Sequence, residues 1–479
     1  MYHPIRTLPW PTLICLLLFA ACIPAEGSTH IPPELDCTTV LKQRQQPAQP
    51  GSVEVIVAAR AYREFCWQLY GPVLAAQTMT TPAVRVIPSR YDMLGASYQQ
   101  LMEQALINGD APDLMQFDSN QLRPFAERGY LTPLGACIHR YSTFADILEP
   151  LWPFVMWRGQ PWGVPYRIGM VLFYFNKLKL KELGWSQDQI EHLPQAIEQG
   201  EFTLDDLVSV AREGIATNVV QAGFGYWPYL DDPWTLQMTY IAFEGHIYDG
   251  ATDKFIITKA ALTKAYAFHR QMFTTGITHQ SFAHLAHSFL DKTMWEDAVV
   301  HGRVLFWVGL GVNWPLLMSE YKDDLIPDVD PQAQLGYALY PSSRRSQPGH
   351  ILWDSGAVYV IPSVRGSGRS NQEAACALLA HTLMPEINAL HVARSGLMSV
   401  LKSQATHPAF QKNQFDLAQF RMWPHAVALP RQQPLHDVYT TILNSYLDDV
   451  QTGQLPAEVA MELAVQALRR QLGDALIIE

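Results

Sequence analysis

The chain has 479 residues and a mass of 54.0 kDa, enough for two to four domains, or for two lobes of one chain, around a sizeable core. Hydrophobic residues at 48 % exclude general disorder. A formal net charge of −11 argues against nucleic acid as a partner, because phosphate recognition needs a basic face. Charged residues reach only 16 %, against about 25 % in an average soluble protein. Trp, Tyr and Phe number 13, 20 and 20, so the chain is globular, weakly acidic and rich in aromatics.

In chain order, Arg6 precedes an apolar run from Thr12 to Ala21. That run is too short to span a bilayer of about 30 Å. A basic start, a short apolar run and small residues at its end have the layout of a secretory signal. Cys22 follows in Phe19-Ala20-Ala21-Cys22, which resembles the bacterial lipobox. The resemblance implies lipidation of Cys22; an ordinary signal cleaved elsewhere is the alternative. Residues 1–21 are therefore read as signal peptide and 22–51 as a tether, with Gln43–Gly51 polar and Pro-bearing. No later segment reaches 18 apolar residues. Beyond Cys15 and Cys22, the cysteines Cys37, Cys66, Cys137 and Cys376 allow three pairings. Mostly free, buried thiols are expected, with room for one disulfide.

From Val53 the pattern alternates. Val53–Val57, Ala83–Pro88 and Asp113–Phe117 read as strands, with helices over Tyr62–Ala76 and Tyr98–Leu106 between them. Asn108-Gly109 stops the second helix, and Asp118 or Ser119 caps the turn after the third strand. This βαβαβ order predicts a parallel sheet covered by helices. Further on, Thr203–Asp206 fits a capping box, and Gly214 closes its helix. Strands return at Leu335–Tyr340 and Ala357–Ile361. A last helix starts at Pro456 with Val459, Leu463, Ala467 and Leu468 expected inward.

Enzyme and metal motifs are missing. There is no GxSxG elbow, no GxxxxGK[ST] loop, no HExxH and no CxxC. His279, His284 and His287 read as a solvated helix. Asp231-Asp232 and Asp323-Asp324 read as turns. No catalytic residue, metal or cofactor is expected.

Several segments carry a resemblance. Gly109–Asp113 with Leu114-Met115 is similar to a "GDAPDV" segment. Phe125–Leu134 is similar to "aekGyLtpL", and Gly159–Leu183 to "GkiyGvPy…lyYNkdlfkk". Thr203–Leu207 is similar to "TwdEl", His301–Phe306 to "GkaAM", and Pro456–Glu458 to "peeAl". In this order, over about 420 residues, they resemble the bacterial ABC-transporter extracellular solute-binding proteins of the large sugar-binding, maltose-binding-like type.

The resemblance implies an α/β periplasmic-binding-protein-like fold of two lobes, each a mostly parallel sheet flanked by helices, joined by a multi-strand hinge. The first lobe is expected over 52–163 plus 300–340, the second over 164–299 plus 341–479. Crossings are expected near Pro161–Arg167, Val299–Arg303 and Tyr340–His350. The implied function is capture of an oligosaccharide or polyol by hinge closure, with delivery to ABC permease subunits. The protein would be an exported monomer, periplasmic or held by lipid on the outer face of the cytoplasmic membrane. Alternatives are a polyamine, iron or uronate ligand, a sensor-coupled binding protein, or a secreted carbohydrate-active enzyme.

Sugar rings have an apolar C–H face and a hydroxyl edge, so an aromatic with a polar neighbour suits them. Candidates are Tyr62, Asp118, Ser119, Tyr166, Arg167, Trp227, Tyr229, Trp234, Trp307, Trp314, Trp353 and Asp354.

Overall fold

The computed structural model of the chain describes residues 51–61, 67–80, 82–92, 98–228, 234–278, 296–319, 331–354, 357–395, 397–430 and 432–479. It opens with β1 (Val53–Ala61), α1 (Trp67–Thr78), β2 (Val84–Asp92), α2 (Tyr98–Asn108) and β3 (Leu114–Asp118). β1 lies between β2 and β3 and is parallel to both, as the alternating pattern requires. α2 stops as expected: Gly109 takes φ +78°, and the Asp110 amide reaches the Ala105 carbonyl. Asp118 caps a 3₁₀ turn that leads into α3 (Leu122–Glu127). Then come α4 (Gly135–Arg140), the hairpin β4 (Met156–Trp157) and β5 (Gln160–Pro161), and β6 (Val164–Pro165).

The chain next enters a second sheet through β7 (Gly169–Asn176), followed by α5 (Lys177–Glu182), α6 (Gln187–Glu198) and α7 (Leu204–Ala216). The Thr203–Asp206 capping box forms, with the Thr203 amide 2.8 Å from Asp206 Oδ2. Gly214 does not close α7; it is buried within the helix, which runs on to Ala216. The lobe continues through β8 (Tyr226–Trp227), α8 (Trp234–Ala242), β9 (Tyr248–Asp249), β10 (Lys254–Ile257), α9 (Lys259–Thr274) and β11 (Phe306–Leu310). After α10 (Asn313–Ser319) come β12 (Leu335–Ala338) and β13 (Ile351–Asp354). β14 (Ala357–Val360) returns to the first sheet, where α11 (Gln372–Thr382) and α12 (Pro385–Ser395) pack on α1. The second lobe is completed by α13 (Gln414–Met422), β15 (Ala426–Ala428), α14 (His436–Asn444), α15 (Leu447–Thr452), α16 (Ala457–Leu472) and β16 (Leu476–Ile478). In α16 the inward face is Ala460, Met461, Ala464, Val465 and Leu468, while Val459 is 45 % exposed. The small residues at 460 and 464 let α16 approach α9, so the face sits about one residue from the one expected.

The first sheet has the order β2-β1-β3-β14-β6, and the second β15-β13-β7-β11-β8 with β12 also on β7. Two continuous segments, β6–β7 and β13–β14, run antiparallel side by side through both sheets. Val358 faces Pro165 and Tyr359 faces Val164 in the first; Asp354 faces Gly169 and Trp353 faces Met170 in the second. A third segment joins this ribbon, because Ile168 and Met398 exchange two 3.0 Å backbone hydrogen bonds. β7 runs away from the ribbon and β11 runs back towards it, so their pairing is antiparallel.

The chain therefore passes between sheets at 166–168, at 354–357 and beyond Met398. Of the expected crossings, only the one ending at Arg167 coincides with these. Val299 feeds β11, and Tyr340 pairs with His350 inside the second lobe. β11 and β12, expected in the first lobe, pair with β7, whereas β14, expected in the second, pairs with β3. Buried strands read alike in both lobes, and pairing partners are invisible in a hydrophobic run.

The returning segment is stitched along its length to the first 100 residues of its lobe. Ser363 Oγ donates to the Gly129 carbonyl (2.7 Å), and Arg365 Nη1 to the Arg128 carbonyl (2.9 Å). Arg369 Nε meets the buried Asp113 carboxylate at 2.8 Å, which also accepts the Ile56 amide. Arg140 pairs with Glu373. Next to that pair, Cys137 and Cys376 form a disulfide with Cα atoms 5.9 Å apart across 239 residues. These two thiols are thus not free; Cys37 and Cys66 lie outside the described residues. Closing so long a span restricts the unfolded chain, which typically contributes about 2–4 kcal/mol. Reduction, or Cys137→Ser, should lower the unfolding free energy by about that amount in an equilibrium denaturation experiment, with an unchanged far-ultraviolet spectrum.

Candidate functional site

The ribbon fixes which strand ends face one another. β3 ends at Asp118, opposite Ala357, the first residue after the ribbon crosses into the first sheet. β11 ends at Leu310, opposite Val171, two residues into β7. β8 is parallel to β11, with Trp227 in register with Trp307 and so level with Tyr174, well into β7. The turns after β3 and β11 therefore lie on the ribbon side of their sheets, the position at which open α/β sheets bind ligands.

From the first lobe, Asp118 is half-buried and Ser119 is 3 % exposed. The Asp118 amide reaches Gln121 Oε1 at 3.4 Å, which holds the turn closed. Tyr166 does not face the cleft. It is 1 % exposed and packs between Tyr359 (4.3 Å between ring centroids) and His391 of α12 (5.9 Å). Arg167, the next residue, is half-buried with its guanidinium carbon 5.3 Å from the Tyr166 ring centre. The two lie in the link between β6 and β7, where Tyr166 is buried in the first lobe and Arg167 is half-buried at the crossing.

From the second lobe, Trp227, Trp234, Trp307 and Trp353 are all buried. Trp307 stacks flat on Tyr174 at 3.9 Å, and Trp227 on Phe224 at 6.1 Å. Trp353 joins Phe154 of the first lobe (5.0 Å) to Trp423 (4.8 Å). It is thus a packing element of the hinge. Trp314 is half-buried and stacks on Phe415 at 5.4 Å, with Tyr337 edge-on at 4.8 Å. Tyr62, Tyr229 and the side chain of Asp354 lie outside the described residues, as do His279, His284, His287, Asp231-Asp232 and Asp323-Asp324.

Sequence reasoning passed over three buried carboxamides. Gln116 Nε2, Asn313 Oδ1 and both side-chain atoms of Gln237 are buried with no hydrogen-bond partner among the described residues. Asn313 Oδ1 lies close over Gly309, where an added Cβ would come within 2.7 Å of it and 2.5 Å of the Trp307 ring. Glycine is thus required at 309 for that turn to fold back on the strand. The available signal for Gln237 was an amide in an otherwise apolar run, Leu236-Gln237-Met238.

The family described as bacterial extracellular solute-binding protein matches residues 92–340, just over half of the chain. Among solved structures, the GacH receptor of Streptomyces glaucescens, described unliganded and with acarbose, aligns at 16 % identity. It covers 88 % of this chain and 99 % of its own, with a TM-score of 0.66. Maltose-bound MalE3 of T. maritima gives 16 % identity, 88 % and 100 % coverage and 0.66. An ABC-transporter solute-binding protein of Thermotoga lettingae bound with α-D-tagatose gives 20 %, 88 %, 100 % and 0.64. These likenesses establish the two-lobed fold. No curated protein sequence matches the chain.

Beside Phe415, the Asp416 carboxyl is 1 % exposed; Oδ2 accepts from Asn413 Nδ2 at 2.6 Å and Oδ1 has no partner among the described residues. Burial raises its pKa well above the usual carboxylate value. The folded state therefore holds this proton more tightly than the unfolded state. Its contribution is fully present below the unfolded pKa and is lost as pH rises through the folded one. Asp416→Asn should raise the melting temperature at pH 7 and flatten its decline between pH 4 and pH 7, measured by calorimetry. An equal or lower melting temperature at pH 7 would contradict the assignment.

Proposed function

The chain belongs to the bacterial extracellular solute-binding proteins, and we propose that it captures a carbohydrate, an oligosaccharide or polyol, between its two lobes. The observation that carries this reading is the meeting of unlike strand ends at the ribbon. The first lobe brings Asp118, Ser119 and Arg167, whose polar groups suit a hydroxyl edge. The second brings the turn after β11, with Trp314 half-buried. Aromatic faces cover the C–H side of a sugar ring while polar groups bond its rim. Relatives of the same fold are described with acarbose, maltose and tagatose, which supports the class without naming the sugar.

Binding at such a site is a conformational selection. The solute favours the closed form only by the contacts it makes with both lobes there and lacks in the open form. Tyr166 and Trp353 act behind the site, one packing the first lobe and one bridging the hinge. Trp227, Trp234 and Trp307 are buried in the second lobe and likewise act behind the site. In this reading no bond is made or broken, and the loaded protein passes its solute to ABC permease subunits. Export, lipidation at Cys22 and a monomeric state complete the proposal; among the described residues no helix is long and apolar enough to cross a membrane.

A thermal-shift screen of mono- and oligosaccharides, polyols, uronates and polyamines tests the ligand class. A solute present at 100-fold its dissociation constant should add about 2.7 kcal/mol of stability. Stabilisation by a neutral saccharide is expected. Stabilisation by a polyamine alone would overturn the carbohydrate reading.

A further inference from the structure

The first sheet has a second end, away from the crossing into the other lobe. There β1 begins at Val53, β3 begins at Leu114 and β14 finishes at Val360. Several segments close this pole, and short contacts join them side by side. The last turn of α2 lies against 364–368: a Cβ added to Gly366 would come within 3.1 Å of Leu106, and the Ala111 amide reaches the Gly366 carbonyl at 3.1 Å. The Ser363 amide reaches the Tyr130 carbonyl at 2.8 Å, and the Thr132 amide the Ile361 carbonyl at 2.9 Å. The Leu134 amide reaches the Pro161 carbonyl at 2.7 Å, which brings the β4–β5 hairpin to the same face.

The side chains of this pole are unusual for a solvated surface. Ile107 and Val364 are 55 % exposed and Met156 is 42 % exposed. Among the described residues, the other large apolar side chains so exposed are Met384 and Val459, one in each lobe. Tyr130, Trp157 and Trp162 are half-buried at the pole. The Trp157 and Trp162 rings lie 5.7 Å apart, and Trp162 Nε1 donates to the Trp157 carbonyl at 3.1 Å. Two exposed arginines lie on these rings. The Arg158 guanidinium is 4.4 Å from the Trp157 ring centre and that of Arg365 is 4.6 Å from Tyr130. Arg158 and Gly159 form the hairpin tip at φ +49° and +70°. Such a turn favours Asn-Gly or Gly-Gly, and a residue with a Cβ is disfavoured at its first position. The departure places a guanidinium at the outermost point of the hairpin. Asp110 and Glu127 are also exposed here, so the face is amphipathic rather than cationic.

Apolar side chains, half-buried indole and phenol rings and arginines form the chemistry of a membrane–water interface. Aromatic rings settle at the headgroup level, guanidiniums reach phosphates, and aliphatic tips enter the acyl boundary. The direction of the chain selects the same partner. Gly51 leads into β1 at this pole, and only Ile23–Pro50 separate it from Cys22.

We propose that this pole of the first lobe docks on the phospholipid bilayer, with Ile107, Met156 and Val364 at the acyl boundary and Arg158 and Arg365 on lipid phosphates. This rests on the reading of Cys22 as the acylated anchor. Phosphate is common to zwitterionic and anionic lipids, and the apolar side chains supply the main attraction, so phosphatidylcholine suffices. Docked by this pole, the first lobe turns the end of β3, with Asp118 and Ser119, away from the bilayer and towards incoming solute.

The test uses the full chain, produced with its own N-terminal segment, recovered from membranes and reconstituted into phosphatidylcholine vesicles with or without bromine on the acyl chains. Mass spectrometry of the N-terminal peptide reads acylation at Cys22. Bromine in the lipid is expected to quench tryptophan emission. The quenched fraction should fall at least twofold in Trp157→Phe and in the double variant Met156→Asp/Val364→Asp. The double variant keeps every Trp and changes only exposed positions, so its melting temperature should equal that of the wild type. Trp157→Phe, which removes no charge, decides the same point independently. Equal quenching in all three chains with Cys22 acylated would overturn the docking surface and leave the anchor intact. An unacylated Cys22 would overturn the anchor and this inference with it, while leaving carbohydrate capture in place. A Met156→Cys chain that resists a polar maleimide in native membranes yet reacts freely on vesicles would assign the face to a protein and overturn the bilayer as its partner.

Discussion

Everything in this molecule hangs on the antiparallel ribbon formed by β6–β7 and β13–β14. Strands are stiff along their length, and a paired strand cannot slip by one residue without turning every side chain to the wrong face. Pairing at Val164–Tyr359 and again at Met170–Trp353 therefore fixes the register of both sheets at once. The short stretch between those pairs is where the lobes can rotate. The exchange between Ile168 and Met398 adds a third strand's worth of support at the same level. A few loop residues that absorb the change in backbone angle are what hinge closure needs.

The returning segment gives the ribbon its anchor. Asp113–Arg369, Cys137–Cys376 and the Ser363–Gly129 hydrogen bond hold that segment to its lobe in addition to the pairing of β14 with β3 and β6. Asp113 belongs to the Gly-Asp-Ala-Pro-Asp stretch that stood out in the sequence, and its role is now plain. It is a buried carboxylate that ties β1, the start of β3 and the return of the chain together.

Local order was legible in the sequence because it is written in local chemistry. The stop at Gly109, the cap at Asp118, the Thr203–Asp206 box and the first three strands all depend on residues a few positions apart. Long-range partners were not legible. β11, β12 and β14 went to the wrong lobes because an apolar strand does not state its neighbour. The same limit governs the site. The strand end at Asp118 was legible, since turns announce themselves by composition, whereas the short strand β8 at Tyr226–Trp227 was not. Burial of Tyr166 against His391 of α12 and the Phe154–Trp353–Trp423 contacts were not, since they join residues far apart in the chain.

Among the described residues, most of the candidate aromatics are packing rings that shape the lobes, and Trp314 after β11 is half-buried. The central claim is that the lobes close about the ribbon on a carbohydrate. Small-angle X-ray scattering of the chain, without and with a saturating amount of the saccharide that stabilises it most, measures this directly. A decrease in radius of gyration on binding, with no change in mass, is the predicted result. Superimposable scattering curves in the presence of bound saccharide would contradict closure about this hinge.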